Sequence, residues 1–136
     1  MPRPALRALA ALALLAAPAA AQETMTPDAF LDRAAGRTLT FVSTPDGALV
    51  GTEQFLSRSR SVYARADGSC SYGKVTVEGP ELCFRYEDDP GRAHCWWPFA
   101  EGGELHVRIA DTASDEVQRV ARIGDGPVTC TDAPAV

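Results

Sequence analysis

Residues 70–99 read CSYGKVTVEGPELCFRYEDDPGRAHCWWPF, and this stretch decides the fold. It contains three of the four cysteines, both tryptophans and two of the three tyrosines. Apolar and polar residues alternate in three short runs, and turn residues separate the runs. The stretch therefore predicts three consecutive antiparallel strands that place one face on a core.

The same period of two continues on both sides of this stretch. Turn residues interrupt it about every ten to twelve positions, which is typical of an antiparallel meander. The sequence therefore predicts an all-β domain, an antiparallel meander of about eight strands that closes into a small barrel. The predicted strands cover residues 38–43, 48–56, 61–66, 70–77, 81–87, 92–99, 104–110 and 116–123.

One short N-terminal helix precedes the strands. Thr26 is suited to cap its first free N–H groups, and Pro27 fits the first helical position, where no N–H is needed. Gly36 ends it. We expect a helix over residues 27–35 that packs across one end of the barrel, because a helix this short is marginal alone.

Residues 1–21 have the composition of a signal peptide. Arg3 and Arg7 precede an Ala/Leu run over residues 8–17, and small residues end the segment at Ala21. The run is too short for a membrane span, and no second apolar run follows. The remaining residues, 22–136, form one predicted domain of an exported protein, periplasmic or secreted.

The charge of the chain is acidic. Of its 13 basic residues two lie in the predicted signal peptide, so 11 remain against 18 acidic residues, a net charge of −7. Such a surface repels phosphate backbones, so we expect no nucleic-acid partner.

Four turns predict the register of the strands. Turns at Asp67-Gly68, Gly79-Pro80, Asp89 and Gly102-Gly103 separate a mostly apolar face from a mostly polar one. The predicted inward face consists of Val62, Ala64, Ala66, Val75, Val77, Leu82, Phe84, Tyr86, Trp96, Leu105, Val107 and Ile109. The predicted outward face includes Arg65, Lys74, Arg85, Glu87, Trp97, Phe99, His106 and Arg108.

The four cysteines predict two disulfides in an exported chain. The Asp89 turn places Cys83 opposite Cys95, within reach of a disulfide. Cys70 and Cys130 then form the second bridge, although the other two connectivities stay open. No paired C-x-x-C spacing of a zinc site is present.

The runs GKVTVEGPELCFRYEDDP and HCW resemble an uncharacterised family of small exported bacterial proteins of the domain-of-unknown-function type. The family has the pattern Leu-Cys-Phe-x-Tyr followed by a second Cys one hairpin later. Val75 stands where the family has Trp. The resemblance covers roughly residues 36 to 100. It implies a periplasmic, lipocalin-like β-barrel and no known activity, so it transfers no catalytic residue.

No catalytic or metal-binding constellation is recognisable. The register places His94 and His106 on opposite faces, and Pro90 interrupts the acidic turn at residues 87–89 as a calcium loop. We therefore expect no metal, no cofactor and no enzymatic activity.

A ligand site inside the barrel is the main functional hypothesis. Large inward residues oppose small ones at Ala64, Ala66, Ser69, Ser71 and Gly73, so the aromatic rings either fill the interior or leave a pocket. We expect a small-molecule ligand to contact Tyr86, His94 and Trp96, near the end of the barrel where the acidic turn lies.

An outer patch of Trp97, Phe99 and Arg108 is the basis of the alternative hypothesis. If the patch is exposed, its composition is that of an interface hot spot, and the partner is another exported protein that the chain binds or inhibits. If the helix or the C-terminal tail covers it, the patch is structural.

Overall fold

The computed structural model describes residues 1–2, 13, 15–19 and 21–131. The predicted signal peptide lies largely outside the described residues. The elements, in chain order, are β1 (Gln22–Thr24), α1 (Pro27–Ala34), β2 (Thr38–Ser43), β3 (Leu49–Phe55), β4 (Arg60–Arg65), β5 (Cys70–Glu78), β6 (Glu81–Tyr86), β7 (His94–Glu101), β8 (Glu104–Ile109) and β9 (Val117–Gly124).

Strands β2 to β9 form a closed antiparallel barrel. Each pairs with the next along the chain, and β9 pairs back with β2. The predicted small lipocalin-like barrel of eight meandering strands is thus confirmed. The short strand β1, which we did not predict, adds to the edge of β7.

Helix α1 closes one end of the barrel. The hydroxyl of Thr26 accepts a hydrogen bond from the backbone N–H of Ala29 at 3.1 Å, as expected of an N-cap. Phe30 is fully buried against Phe55 of β3, with ring centroids 6.2 Å apart. The apolar face of the helix therefore becomes the base of the barrel core.

Three of the four predicted turns have the predicted register. Leu82 pairs with Trp96 and Cys83 with Cys95 across β6 and β7. The pairings of Val75 with Phe84 and of Pro98 with Val107 are also as expected. Consequently Trp96 points inward and Trp97 outward, as predicted. Val77 lies at the end of its strand and is 42% exposed, so its assignment to the core was wrong.

The register at Asp67-Gly68 was wrong by one residue. The β4–β5 loop contains three residues instead of two, because Arg65 rather than Ala66 pairs with Ser69 through a backbone hydrogen bond of 2.8 Å. Gly68 supplies the positive φ of 88° that such a loop requires. This shift of one residue exchanges the inward and outward faces of β4, so Tyr63 and Arg65 line the interior.

Val62 and Ala64 face outward, contrary to the prediction, and Ala66 is exposed in the loop. Both strand residues are nevertheless buried, because the chain after β9 crosses the outer face of β3 and β4. On this path the backbone N–H of Val128 donates to Gln54 at 3.2 Å. A covered outer face explains why β4 carries apolar residues on its outer side.

Both predicted disulfides are confirmed. Cys83–Cys95 joins neighbouring strands, and Cys70–Cys130 fixes the C-terminal tail to the start of β5 across a sequence separation of 60 residues. Disulfides are compatible with an oxidising, exported environment.

Candidate functional site

The barrel interior contains a cavity of about 390 Å³. Its base is formed by Phe30 of α1 together with Phe84 and Leu82 of β6. At the opposite end the exposed residues Asp89 and Arg92 of the β6–β7 loop lie at its rim. The cavity thus opens at the end of the barrel away from the helix, beside the acidic turn.

The three residues that we predicted to contact a ligand all line this cavity: Tyr86, His94 and Trp96. The Tyr86 ring stacks parallel to Phe84, with centroids 6.1 Å apart, and lies 5.6 Å from the His94 ring. Tyr63 of β4 lies 5.5 Å from Tyr86 on the other side. Aromatic rings therefore form a continuous wall. The sequence predicted Ala64 on this wall, but the β4 residue that lies there is Tyr63.

Two glycines give these rings their positions. A Cβ atom on Gly73 would lie 2.6 Å from the Ser61 hydroxyl oxygen and 2.9 Å from Cε1 of Tyr86. A Cβ atom on Gly51 would overlap the Tyr63 ring. The absence of side chains at these inward positions lets both tyrosines lie flat against the sheet, which keeps the space open.

Glu53 of β3 is the most unusual residue of the cavity. It is only 3% exposed, and its Oε2 accepts a hydrogen bond of 3.0 Å from the Tyr86 hydroxyl. Its Oε1 finds no hydrogen-bond partner among the described residues, nor does the buried hydroxyl of Ser61 nearby. A buried carboxyl oxygen without a hydrogen-bond partner costs free energy. Oε1 of Glu53 is therefore an atom to which the described part of the folded chain supplies no such partner.

Burial raises the pKa of Glu53 from its ordinary 4.5 to about 7. The hydroxyls of Ser61 and Tyr86 lower that pKa by smaller amounts, although the geometry of Ser61 is not that of a regular hydrogen bond. Burial, and next the charge of Glu53, raise the pKa of Tyr86 well above 10. Tyr86 is therefore a neutral donor that holds one oxygen of Glu53.

The rim of the cavity carries charged groups of both signs. Arg65 forms an ion pair with Asp88, whose other oxygen accepts a hydrogen bond of 2.8 Å from Ser71. That hydrogen bond, followed by the charge of Arg65, lowers the pKa of Asp88. Desolvation, and next the charge of Arg92, lower the pKa of His94. At neutral pH His94 is accordingly an uncharged polar group at the mouth.

The predicted outer patch is only partly accessible. Trp97 and Arg108 are half-buried, whereas Phe99 is 7% exposed. The Phe99 ring stacks on His106 at 4.9 Å, and the Arg108 guanidinium lies 5.9 Å from its centroid. Phe99 also pairs with Thr24 of β1. The structure thus brings Trp97, Phe99 and Arg108 together, and the central ring is covered by its neighbours.

Among the described residues, the one group of His, Cys, Asp and Glu side chains close enough to hold a metal is Glu78, Cys83 and Cys95. The two sulfurs are joined in a disulfide and are not thiolate ligands. Among the cavity residues that sequence reasoning missed are Tyr63, Arg65 and above all Glu53. Glu53 had a signal, because it lies between Gly51 and Phe55 in a strand whose alternate residues face the core.

No helix within the described residues is long and apolar enough to cross a membrane. Comparison of the chain with protein-family models, with curated proteins and with solved structures finds no match. What the protein does must therefore be inferred from the cavity itself.

Proposed function

We propose that this protein is an exported, non-enzymatic carrier or receptor that binds a small, partly apolar molecule inside its barrel. The observation that supports the proposal most directly is the open cavity of about 390 Å³ between Phe30 and the β6–β7 loop. Ligand sites are typically concave, about 300–1,000 Å³ in volume, and apolar with a few oriented polar groups. The volume of this cavity lies in that range, its base is apolar, and charged groups of the β6–β7 loop lie at its rim.

The polar groups converge where a ligand would lie. Glu53 is buried in the wall and bonded to Tyr86, whereas His94 and Trp96 of β7 line the cavity and are half-buried. We propose that Tyr86, His94 and Trp96 contact the ligand. The predicted signal peptide and the two disulfides support a periplasmic location, and the family that the Leu-Cys-Phe-x-Tyr pattern resembles supports it as well.

The alternative, an interaction or inhibitor module that uses the outer patch, has less support. Interface hot spots are usually large aromatic side chains that are accessible in the free protein. Of the patch residues, Phe99 is already buried within this chain. Trp97 and Arg108 alone make a small surface, so we favour the cavity as the binding site.

A dye-binding assay tests the proposal. The apolar fluorophore N-phenylnaphthylamine should bind the purified protein with one equivalent per chain and show enhanced, blue-shifted emission. Ile109→Trp fills the cavity at its wall and should weaken dye binding at least tenfold, the loss expected from about 1.4 kcal/mol. Arg108→Trp introduces the same ring one residue earlier on the outer face and should leave dye affinity unchanged.

Absence of dye binding by the wild-type protein would refute the proposal. Equal binding by the two tryptophan variants would place the dye outside the barrel and refute it as well. Trp97→Ala provides a further comparison, because loss of dye binding in that variant would favour the outer patch.

A further inference from the structure

We propose that the ligand of this cavity carries a protonated amine, which forms an ion pair with Glu53 while its apolar body packs against the aromatic wall. This inference rests on the proposed ligand-binding function and names the chemical class of the ligand. It begins from the unpartnered Oε1 atom of Glu53.

The first argument is that Glu53 lacks a counter-charge within the protein. Among the described residues no basic side chain forms an ion pair with it. Arg65, which also lines the cavity, is paired with Asp88 at the rim. A buried acid is normally paired or hydrogen-bonded through both oxygens, and here only Oε2 is satisfied. In its ionised form Oε1 can only accept, so the partner it lacks is a donor, and an ammonium group provides both the donor and the opposite charge.

The second argument is the sign of charge around the cavity. Four carboxyl groups line it, those of Glu53, Asp88, Asp89 and Glu116, against two guanidinium groups, those of Arg65 and Arg92. Because His94 is held in its neutral form, the ionised lining has an excess of negative charge. A concave site whose net charge is negative attracts positively charged ligands.

The third argument is the aromatic surroundings of the carboxyl group. Tyr86 contacts Glu53 directly, and Tyr63 lies opposite Glu53 on the neighbouring strand. The faces of aromatic rings attract cations, so rings around a carboxylate form a site suited to an ammonium group. The remaining wall, which includes Phe41, Phe84 and Val107, is apolar and suits the body of an arylalkyl or alkyl amine.

Three probes of nearly equal size test this inference: naphthylmethylamine, naphthylmethanol and naphthoate, each used to displace N-phenylnaphthylamine. We expect the amine to bind at least tenfold more tightly than the alcohol, and naphthoate to bind most weakly. Equal affinities for amine and alcohol, with the dye still bound, would overturn the inference and leave the proposed function standing. Failure of the dye and all three probes to bind would overturn both.

Glu53→Gln is the matched variant, because it keeps the shape of the side chain and removes its charge. It should abolish the preference for the amine over the alcohol, a ratio of affinities that is measured within the one variant. Glu81→Gln removes the same charge from a glutamate that does not line the cavity, and it should retain the preference for the amine. An amine preference that survives in Glu53→Gln would overturn the inference.

The pH dependence gives an independent readout. Glu53 must be ionised to pair with an ammonium, so with a pKa of about 7 the amine affinity should rise about tenfold between about pH 6 and about pH 8. A fall over this range would show that a protonated Glu53 donates to an acceptor on the ligand, and would overturn the inference. The other titratable or charged groups that face the cavity are Tyr63, Arg65, Tyr86, Asp88, Asp89, Arg92, His94 and Glu116.

Discussion

Replacement of Glu53 by Gln should change how the stability of the protein depends on pH. In the folded state burial holds the pKa of Glu53 near 7, whereas in the unfolded chain it returns to about 4.5. Between these values the folded state keeps a proton that the unfolded state has lost. The free energy of unfolding should therefore fall as the pH rises through this window.

The size of the effect follows from the difference in pKa. Each unit corresponds to about 1.4 kcal/mol, so the rise from 4.5 to about 7 costs the folded state about 3 kcal/mol once the pH exceeds both values. Glu53→Gln cannot ionise and avoids this cost. The lowered pKa of His94 produces an opposite trend, but it is present in both proteins and cancels in their difference.

Urea denaturation followed by circular dichroism, with the disulfides intact, measures the difference. At about pH 4 the unfolding free energies of wild type and variant should differ by a fixed offset, and by about pH 8 the variant should have gained about 3 kcal/mol relative to that offset. A difference that stays constant across the range would refute the reasoning, since Glu53 would then keep an ordinary pKa in the fold.

Three further changes test the architecture. Cys70→Ser combined with Cys130→Ser should lower the unfolding free energy by about 4 kcal/mol in urea denaturation, because it opens a loop of 60 residues; a loss below about 1 kcal/mol would contradict the chain-entropy argument. Gly73→Ala should cost about 1–3 kcal/mol and weaken dye binding, because its methyl group meets Tyr86. The control Gly91→Ala has open space around it and should change stability by less than about 0.5 kcal/mol; equal losses would refute the close approach. Trp96→Ala should cost about 3 kcal/mol by thermal or urea unfolding, and a cost near zero would show that this ring does not pack on the core.

Much of the fold could be predicted because its determinants are local. A period of two, interrupted by turn residues, identified all eight strands of the barrel within two residues at each boundary. The capping residues of α1 act within one turn of helix, so Thr26 and Pro27 sufficed to place it. The Cys83–Cys95 bridge followed from a single turn. The same alternation placed Tyr86, His94 and Trp96 on the inner face.

The β4 register was set by tertiary structure. A two-residue and a three-residue loop both suit the sequence around Asp67-Gly68, and hydrophobicity favoured the wrong one because Val62 and Ala64 are apolar. These two residues are apolar because the C-terminal tail covers the outer face of β4. The tail lies more than 60 residues further along the chain, so the alternation within β4 cannot show which of its faces the tail covers.

The key cavity residue likewise became visible only in three dimensions. Alternation along β3 places Glu53 inward, but its environment depends on Tyr86, which is 33 residues away in sequence and joins it only when the barrel closes. Closure of the barrel also decides whether its interior is filled. The free volume depends on side chains from several strands, including the tyrosine rings that lie against Gly51 and Gly73. The sequence by itself determined the strands, the helix and the Cys83–Cys95 disulfide through local periodicity and turns. Packing between strands that are distant in sequence decided that the Glu53 carboxyl group is buried inside an open barrel. Ionising this group costs free energy because it is buried.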